Sequence, residues 1–141
     1  MSGTKFGRYR DGTRPNAVME PISKALTDVD IGSLVRHYAS LRAPAFKAAS
    51  SSSKRARQLQ EAGDSVLAIP ACANCHGPAA AGGGPLLPAL AAQPAAYTGG
   101  QLDAFRTGER KNDGDGVMRA LAQRLSHTDI KALGEYCTGM R

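Results

Sequence analysis

Two cysteines and a histidine stand close enough together in this chain to perform metal or covalent chemistry. In the stretch IPACANCHG, residues 69–77, two residues separate Cys72 from Cys75, and His76 follows the second thiol directly. This C-x-x-C-H spacing is the signature of covalent haem attachment. Two thiols add to the vinyl groups of one porphyrin edge, and the adjacent histidine is held under the iron as an axial ligand. The motif predicts one covalent haem c.

Four other interpretations of the motif stay open on the residues alone. A zinc site would need two more ligands at a recognisable spacing, and only Cys137, His37 and His127 remain, none of them paired. A thioredoxin-like redox pair would sit in a βαβ pattern, and no β-branched strand run surrounds this motif. A plain disulfide is sterically poor across two intervening residues, and a chance match is always possible. Haem attachment is favoured because the residues downstream also fit it.

A haem that transfers electrons needs a sixth iron ligand. A methionine thioether suits this role because it is neutral and favours the reduced iron. Downstream of His76 the chain has two methionines, Met118 and the penultimate residue Met140, which stands where chain ends fray. Met118 follows a glycine-rich loop, where the backbone can approach a ligand closely. A lone methionine usually packs in a core, but beside a haem the ligand role is favoured, so His76 and Met118 are the predicted metal ligands.

The axial histidine also needs an acceptor for its second ring nitrogen, which fixes the tautomer and the orientation of the ring. The stretch GGGPLLPAL, residues 82–90, offers free backbone carbonyls because prolines interrupt regular hydrogen bonding. The Pro85 carbonyl is the predicted acceptor, and the three glycines before it supply the close turn.

The distribution of charge indicates where such a haem would sit. The chain of 141 residues carries a formal charge of +6 at pH 7, yet it has no Asp, Glu, Lys or Arg from Ser65 to Leu102. Five prolines and a glycine triplet interrupt this run, so it predicts an apolar pocket and no membrane span. No apolar signal-peptide core follows Met1. The basic run near Lys54 lacks aromatic residues for base stacking, so no nucleic-acid partner is predicted.

Caps and hydrophobic periodicity predict an all-α chain. Helices are expected to open at Thr27 and at Ser126, each followed three residues later by an aspartate and then by an apolar stripe. Two more are expected over Lys54–Ala62 and Pro94–Thr107. Cys137 is expected to be a buried, inert residue of the last helix.

The chain also contains an internal repeat. Residues 9–38 align with residues 105–137 across a three-residue gap, and the matched pairs include Arg14 with Arg110 and Met19 with Met118. The first copy holds a methionine and the final helix but no C-x-x-C-H. Between the copies, residues 43–57 are rich in Ala and Ser and end in a basic run, which predicts a linker.

Several stretches of the chain resemble class I c-type cytochromes, specifically the dihaem two-domain bacterial group: IPACANCHG, GPLLPALAAQPAAY, QLDAFRTGERKN, GVMRALAQRLSHTDIKAL and AVMEPISKALTDVDIGSLVRHYASL. The resemblance covers residues 60–137 nearly continuously and residues 9–42 as the back end of a preceding domain. It implies the class I cytochrome c fold, with helices wrapped around one covalent haem, preceded by the C-terminal helical remnant of a second cytochrome domain. Residues 1–42 would be this N-terminally truncated first domain, 43–57 the linker and 58–141 the haem-binding domain.

The resemblance also implies a function. Members carry single electrons in the bacterial periplasm, between dehydrogenase- or quinol-linked donors and oxidase acceptors, and are carriers rather than enzymes. An export signal would then have been lost with the truncated N-terminus. Tyr97 and Arg106 are expected near the haem edge or its propionates. The alternative function is a haem-based sensor or catalytic haem protein with a displaceable sixth ligand.

Overall fold

The computed structural model describes residues 3–41, 53–84 and 86–140. These ranges contain helices and short 3-10 turns but no β-strand, which confirms the all-α prediction. Their α-helices are α1 (Gly3–Arg10), α2 (Met19–Ala25), α3 (Asp28–Ser40), α4 (Lys54–Glu61), α5 (Ala73–His76), α6 (Ala95–Thr107), α7 (Val117–Ala122) and α8 (His127–Thr138). Residues 43–52 of the predicted linker, and Pro85, lie outside the described residues.

The last helix of each repeat copy begins at a capping box, as predicted. Thr27 caps α3 and Ser126 caps α8, and each hydroxyl accepts from the backbone N–H of an aspartate three residues later. The aspartate carboxylate accepts in return from the N–H of the capping residue. This exchange satisfies backbone donors that a helix N-terminus otherwise leaves unpaired. The two copies therefore share one local plan, with α1–α3 corresponding to α6–α8.

Helix α4 packs against α8 and builds the core of the C-terminal half. The Ser53 hydroxyl caps α4 by accepting from the N–H of Ala56 at 3.1 Å. Ala56 and Leu59 are fully buried and pack with Ile130 of α8. Because α4 begins at Lys54, the last four residues of the predicted linker, 54–57, belong to this helix.

Arg55 joins α4 to α8 and to the loop that precedes the cysteine motif. It donates to Asp64 at 2.6 Å and to Asp129 at 2.9 Å. The hydrogen bond from Arg55 lowers the pKa of Asp64. Burial would raise the pKa of Asp129, but hydrogen bonds from Arg55 and Ser126 outweigh it and leave that pKa lowered. Both carboxylates therefore stabilise the fold above the ordinary aspartate pKa of about 4, and this stability is lost as the pH falls below it.

Acid should therefore weaken the wild-type protein more than an Asp129→Asn variant. At pH 7 we expect the variant to be less stable by about 1 kcal/mol, because a hydrogen bond to a charged group is lost. Below about pH 4 the difference should shrink, since the wild-type carboxylate becomes protonated. Urea unfolding across this pH range measures both effects, with Asp115→Asn at an exposed position as the control. Parallel pH profiles for Asp129→Asn and wild type would contradict the expectation.

The N-terminal copy contacts the C-terminal half beside α6. The backbone N–H of Lys111 donates to the carbonyl of Thr13 at 2.8 Å. The next residue, Arg14, reaches the hydroxyl of Tyr97 on α6 with a 2.5 Å hydrogen bond. The loop after α1 is thus fastened to the helix that leads toward Met118.

Candidate functional site

The C-x-x-C-H motif forms a single helical turn: Cys72 is the N-cap, and Ala73–His76 form α5. The carbonyl of Cys72 accepts from the backbone N–H groups of Cys75 at 3.3 Å and His76 at 2.9 Å. Both cysteines are free thiols; Cys72 is half-buried and Cys75 is exposed. Residues three apart on a helical turn share a face, so both thiols can reach one planar group. Burial raises the pKa of the Cys72 thiol, and Cys75 adds to this.

The competing metal interpretation finds no support in the described part of the chain. There, no group of three or more His, Cys, Asp or Glu side chains is placed to hold a metal ion. Cys137, one of the three remaining candidates for a zinc ligand, is 1% exposed in α8, and burial raises its pKa to about 12. Cys137 is therefore buried in the last helix, as predicted.

The ring of His76 is buried and oriented by one hydrogen bond. Its Nδ1 lies 2.8 Å from the carbonyl oxygen of Pro88. A carbonyl can only accept, so Nδ1 donates to it, and in a neutral ring the lone pair available to a metal is then on Nε2. This is the arrangement expected of a metal-binding histidine with an outer hydrogen-bond partner.

The hydrogen-bond acceptor differs from the predicted one. Pro85 lies outside the described residues, and the carbonyl that meets the ring belongs to Pro88. A tight turn explains the difference: Leu87 N–H donates to Gly84 at 3.2 Å, and Gly83 N–H donates to Leu87 at 2.9 Å. This turn reverses the chain, which brings the next proline carbonyl to the histidine.

Small residues allow the following loop to close tightly over the motif. The N–H of Gly82 donates to the carbonyl of His76 at 2.7 Å. A Cβ added at Gly83 would lie 2.5 Å from the carbonyl oxygen of Cys75, a distance that no real side chain tolerates. This close approach at Gly83 and the φ of +96° at Gly82 explain why glycines occupy these two positions.

Met118 is the second residue of α7, and the glycine-rich stretch before this helix forms a 3-10 turn over Gly114–Gly116. Gly116 before it has φ +71°, in the left-handed region. The buried carboxylate of Asp113 accepts from the Arg119 backbone N–H at 3.0 Å and from its Nε at 2.9 Å. The backbone is therefore fixed on both sides of the half-buried Met118. Its role as the sixth ligand stays a prediction.

Tyr97 and Arg106, the two residues expected near the haem edge, both lie on α6. Tyr97 is 45% exposed, and its hydroxyl accepts from Arg14. Arg106 has a buried Nη1 that finds no hydrogen-bond partner among the described residues. A buried donor without a partner is costly, and a carboxylate would satisfy it. The donor therefore fits the expected approach of a haem propionate, which itself stays a prediction.

Comparison with known proteins decides the family. Residues 60–140, which include the motif, α6, α7 and α8, match the family model described as Cytochrome c. The chain belongs to the cytochrome c family. Membership confirms the prediction of covalent haem c as the cofactor and the class I helical fold.

Individual cytochromes agree with this result. A thiosulfate dehydrogenase electron acceptor from Stutzerimonas stutzeri (strain A1501) is 37% identical over 91% of this chain and 61% of its own length. The solved structure of reduced recombinant cytochrome c4 from Pseudomonas stutzeri matches with a TM-score of 0.88 at 31% identity, covering 99% of this chain and 79% of that one. A thiosulfate dehydrogenase structure from Marichromatium purpuratum matches at 0.90 and 37% identity, over 99% of this chain and 30% of that one.

These matches confirm the predicted resemblance to the dihaem class I group. The chain spans 61% and 60% of the length of the two thiosulfate dehydrogenase electron acceptors it matches.

The residues of this cytochrome fit the haem that the family implies. The donor set holds two free thiols on one helical turn and an imidazole whose Nε2 is free. Exposed leucines Leu86 and Leu87 stand beside the loop that carries the histidine's partner, which suits an apolar porphyrin face. Arg106 adds a buried donor for a carboxylate.

Sequence reasoning missed three residues that the structure brings together at α6. Arg14, Gln101 and Arg110 form a hydrogen-bonded cluster. The available signal was the repeat itself, in which Arg14 and Arg110 occupy matching positions. A matched arginine is usually a solvated surface residue, so the repeat alone did not indicate burial.

Proposed function

We propose that this protein carries single electrons at one haem c whose axial ligands are His76 and Met118. The observation that carries the proposal is the hydrogen bond from His76 Nδ1 to Pro88, which leaves Nε2 free beside two thiols on one turn. When bound, haem c supplies an iron that changes oxidation state by one electron.

The side chains would each contribute a separate effect. Cys72 and Cys75 would anchor the haem through thioether bonds. These bonds would fix the depth of the haem below the protein surface and hence its distance from a docked redox partner. Pro88 would hold the imidazole in one orientation, and Met118 would favour the reduced state through its soft sulfur. The uncharged segment from Ser65 to Leu102 supplies a low dielectric, which disfavours the additional positive charge of the oxidised metal. Both effects raise the reduction potential.

The two copies of the repeat would have different roles. Residues 1–42 are proposed to be C-terminal helices of a first cytochrome domain, residues 43–57 a linker and residues 58–141 the haem-binding domain. The matching order of α1–α3 and α6–α8, with a capping box at the same place in each copy, supports this division.

The proposed partners are redox proteins. A relative is named as an electron acceptor of thiosulfate dehydrogenase, so we propose a dehydrogenase- or quinol-linked donor and an oxidase-type acceptor. The proposed location is the periplasm, where haem c is attached. No helix in the described ranges is both long and apolar enough to cross a membrane.

Covalent attachment can be tested directly by producing the chain with a haem-attachment system and extracting it with acidified acetone. We expect wild-type protein to keep its pigment and a Cys72→Ser/Cys75→Ser double variant to release it. Cys137→Ser is the matched control, because that thiol is buried away from solvent, and it should keep the pigment. A redox titration of the wild type should fit a one-electron couple. Colourless protein, or pigment that washes out of the wild type, would end the proposal.

A further inference from the structure

Two arginines, the buried Arg14 and the half-buried Arg110, lie side by side where the N-terminal copy meets α6. Arg14 is only 7% exposed, and its Nη2 donates to Tyr97 at 2.5 Å and to Gln101 Oε1 at 3.3 Å. Arg110 Nη1 donates to the same Gln101 oxygen at 2.7 Å. The neutral Gln101 side-chain oxygen therefore accepts hydrogen bonds from both positive groups.

The remaining neighbours of these arginines are also neutral. Arg110 Nε donates to the side-chain oxygen of Asn112 at 2.7 Å, and its guanidinium lies 4.3 Å from the centre of the Phe105 ring. The Arg14 guanidinium lies 5.0 Å from the centre of the Tyr9 ring. Neither arginine takes part in an ion pair within the described part of the chain.

This arrangement is unfavourable unless an anion joins it. Burial, followed by the neighbouring charge of Arg14, lowers the pKa of Arg110 to about 10, so the Arg110 guanidinium remains charged at pH 7. A buried charge without a counter-ion is costly, and a second like charge adds to that cost. The fixed forks of two guanidiniums match a carboxylate or a phosphate, which accepts paired hydrogen bonds.

The repeat indicates that the pair is built into the fold. Arg14 and Arg110 occupy matching positions, and each lies over the aromatic ring five residues before it, Tyr9 or Phe105. The backbone bond from Lys111 to Thr13 sets the two loops against each other one residue from each arginine. Each copy therefore contributes a guanidinium from the same repeat position to the contact between the two loops.

We propose that Arg14 and Arg110 together form an oxyanion site across the contact between the two copies. The ligand is a carboxylate or phosphate-like group. It has two sources: a carboxylate of the haem carried by this chain, which rests on the proposed function, or an inorganic oxyanion from solution, which does not. In either case Arg14, which belongs to the N-terminal copy, contributes a positive charge to a site beside the haem-binding half.

The first arm of the test uses sodium phosphate against sodium chloride of equal ionic strength. Thermal unfolding of the haem-loaded protein is followed by circular dichroism for wild type, Arg14→Gln and Arg110→Gln. Arg36→Gln, at an exposed position of α3, is the matched control. If the ligand comes from solution, phosphate should raise the unfolding midpoint of wild type and Arg36→Gln. The rise should be lost in Arg14→Gln and in Arg110→Gln.

The second arm uses resonance Raman spectra of the same samples. If the ligand is a haem carboxylate, the propionate bending band should shift in Arg14→Gln and Arg110→Gln but not in Arg36→Gln. The reduction potential should fall in the same two variants, because a positive charge that favours the reduced metal is removed. Phosphate should then have no effect on wild type.

The absence of both a phosphate effect and a Raman shift would overturn the site. If a glutamine variant fails to fold, the corresponding lysine variant keeps the charge and loses the paired fork. In the first arm, Arg14→Lys and Arg110→Lys should show a smaller phosphate-induced rise of the unfolding midpoint than wild type. In the second arm, their propionate bending band should be shifted from its wild-type position. Lysine variants that match wild type in both measurements would also overturn the site. Failure of the proposed function is distinguishable, because it would show first as loss of covalent pigment from wild type.

Discussion

Replacing Met118 with alanine should abolish the near-infrared sulfur-to-iron absorption band of the oxidised protein. It should also lower the midpoint potential by on the order of 100 mV, because axial ligands set haem potentials over a range of roughly 0.8 V and a thioether favours the reduced state. Absorption spectra and a redox titration measure the two effects. The covalent pigment should remain, since Cys72 and Cys75 are unchanged.

The other described methionines provide matched controls. Met19 occupies the position that matches Met118 in the first copy of the repeat, and Met140 follows the end of α8. Met19→Ala and Met140→Ala should both keep the band and the potential. Survival of the band in Met118→Ala, or its disappearance in Met140→Ala, would show that Met118 is not the ligand.

Gly63→Ala should be among the most destabilising single substitutions in the C-terminal half. Gly63 lies two residues after the end of α4 with φ +76°, and an added Cβ would lie 2.7 Å from the backbone nitrogen of Ala71 and 2.7 Å from the carbonyl carbon of Pro70. It would also crowd the Ile69 carbonyl oxygen. Left-handed strain and overpacking against backbone together should cost on the order of 4 kcal/mol. Denaturant unfolding of the haem-loaded protein measures the loss.

Gly108→Ala separates the two causes. Gly108 ends α6 with φ +77°, yet nothing lies within 4 Å of an added Cβ. It should therefore cost only the conformational strain, about 1 kcal/mol. The backbone atoms crowded at Gly63 belong to residues 69–71, which immediately precede Cys72. Gly63→Ala should therefore also yield less haem-loaded protein. Equal losses at the two glycines would exclude a role for the close contact.

Local chemistry explains why the helices of the repeat could be predicted. The boxes at Thr27 and Ser126 depend on residues three positions apart, so their signal lies in the sequence itself. The same holds for the C-x-x-C-H turn, whose spacing alone places both thiols on one face. Helices α2 and α7 lack such caps, and their short length gives little periodicity to detect.

Longer-range geometry accounts for what the sequence did not predict. Pro85 and Pro88 stand in the same uncharged run, and only the turn between Gly84 and Leu87 decides which carbonyl meets His76. The burial of Arg14 depends on contacts with Tyr97 and Gln101, more than eighty residues away. No periodicity or spacing rule reports a contact of that kind.

The loop that orients His76 is held by main-chain bonds and contains no charged side chain. Besides Gly82 with His76, the carbonyl of Ala80 accepts from both Leu90 at 2.9 Å and Ala91 at 3.1 Å. Dissolved salt screens ion pairs and surface charges but has little to act on in such a loop. The orientation of the His76 ring should therefore change little with ionic strength.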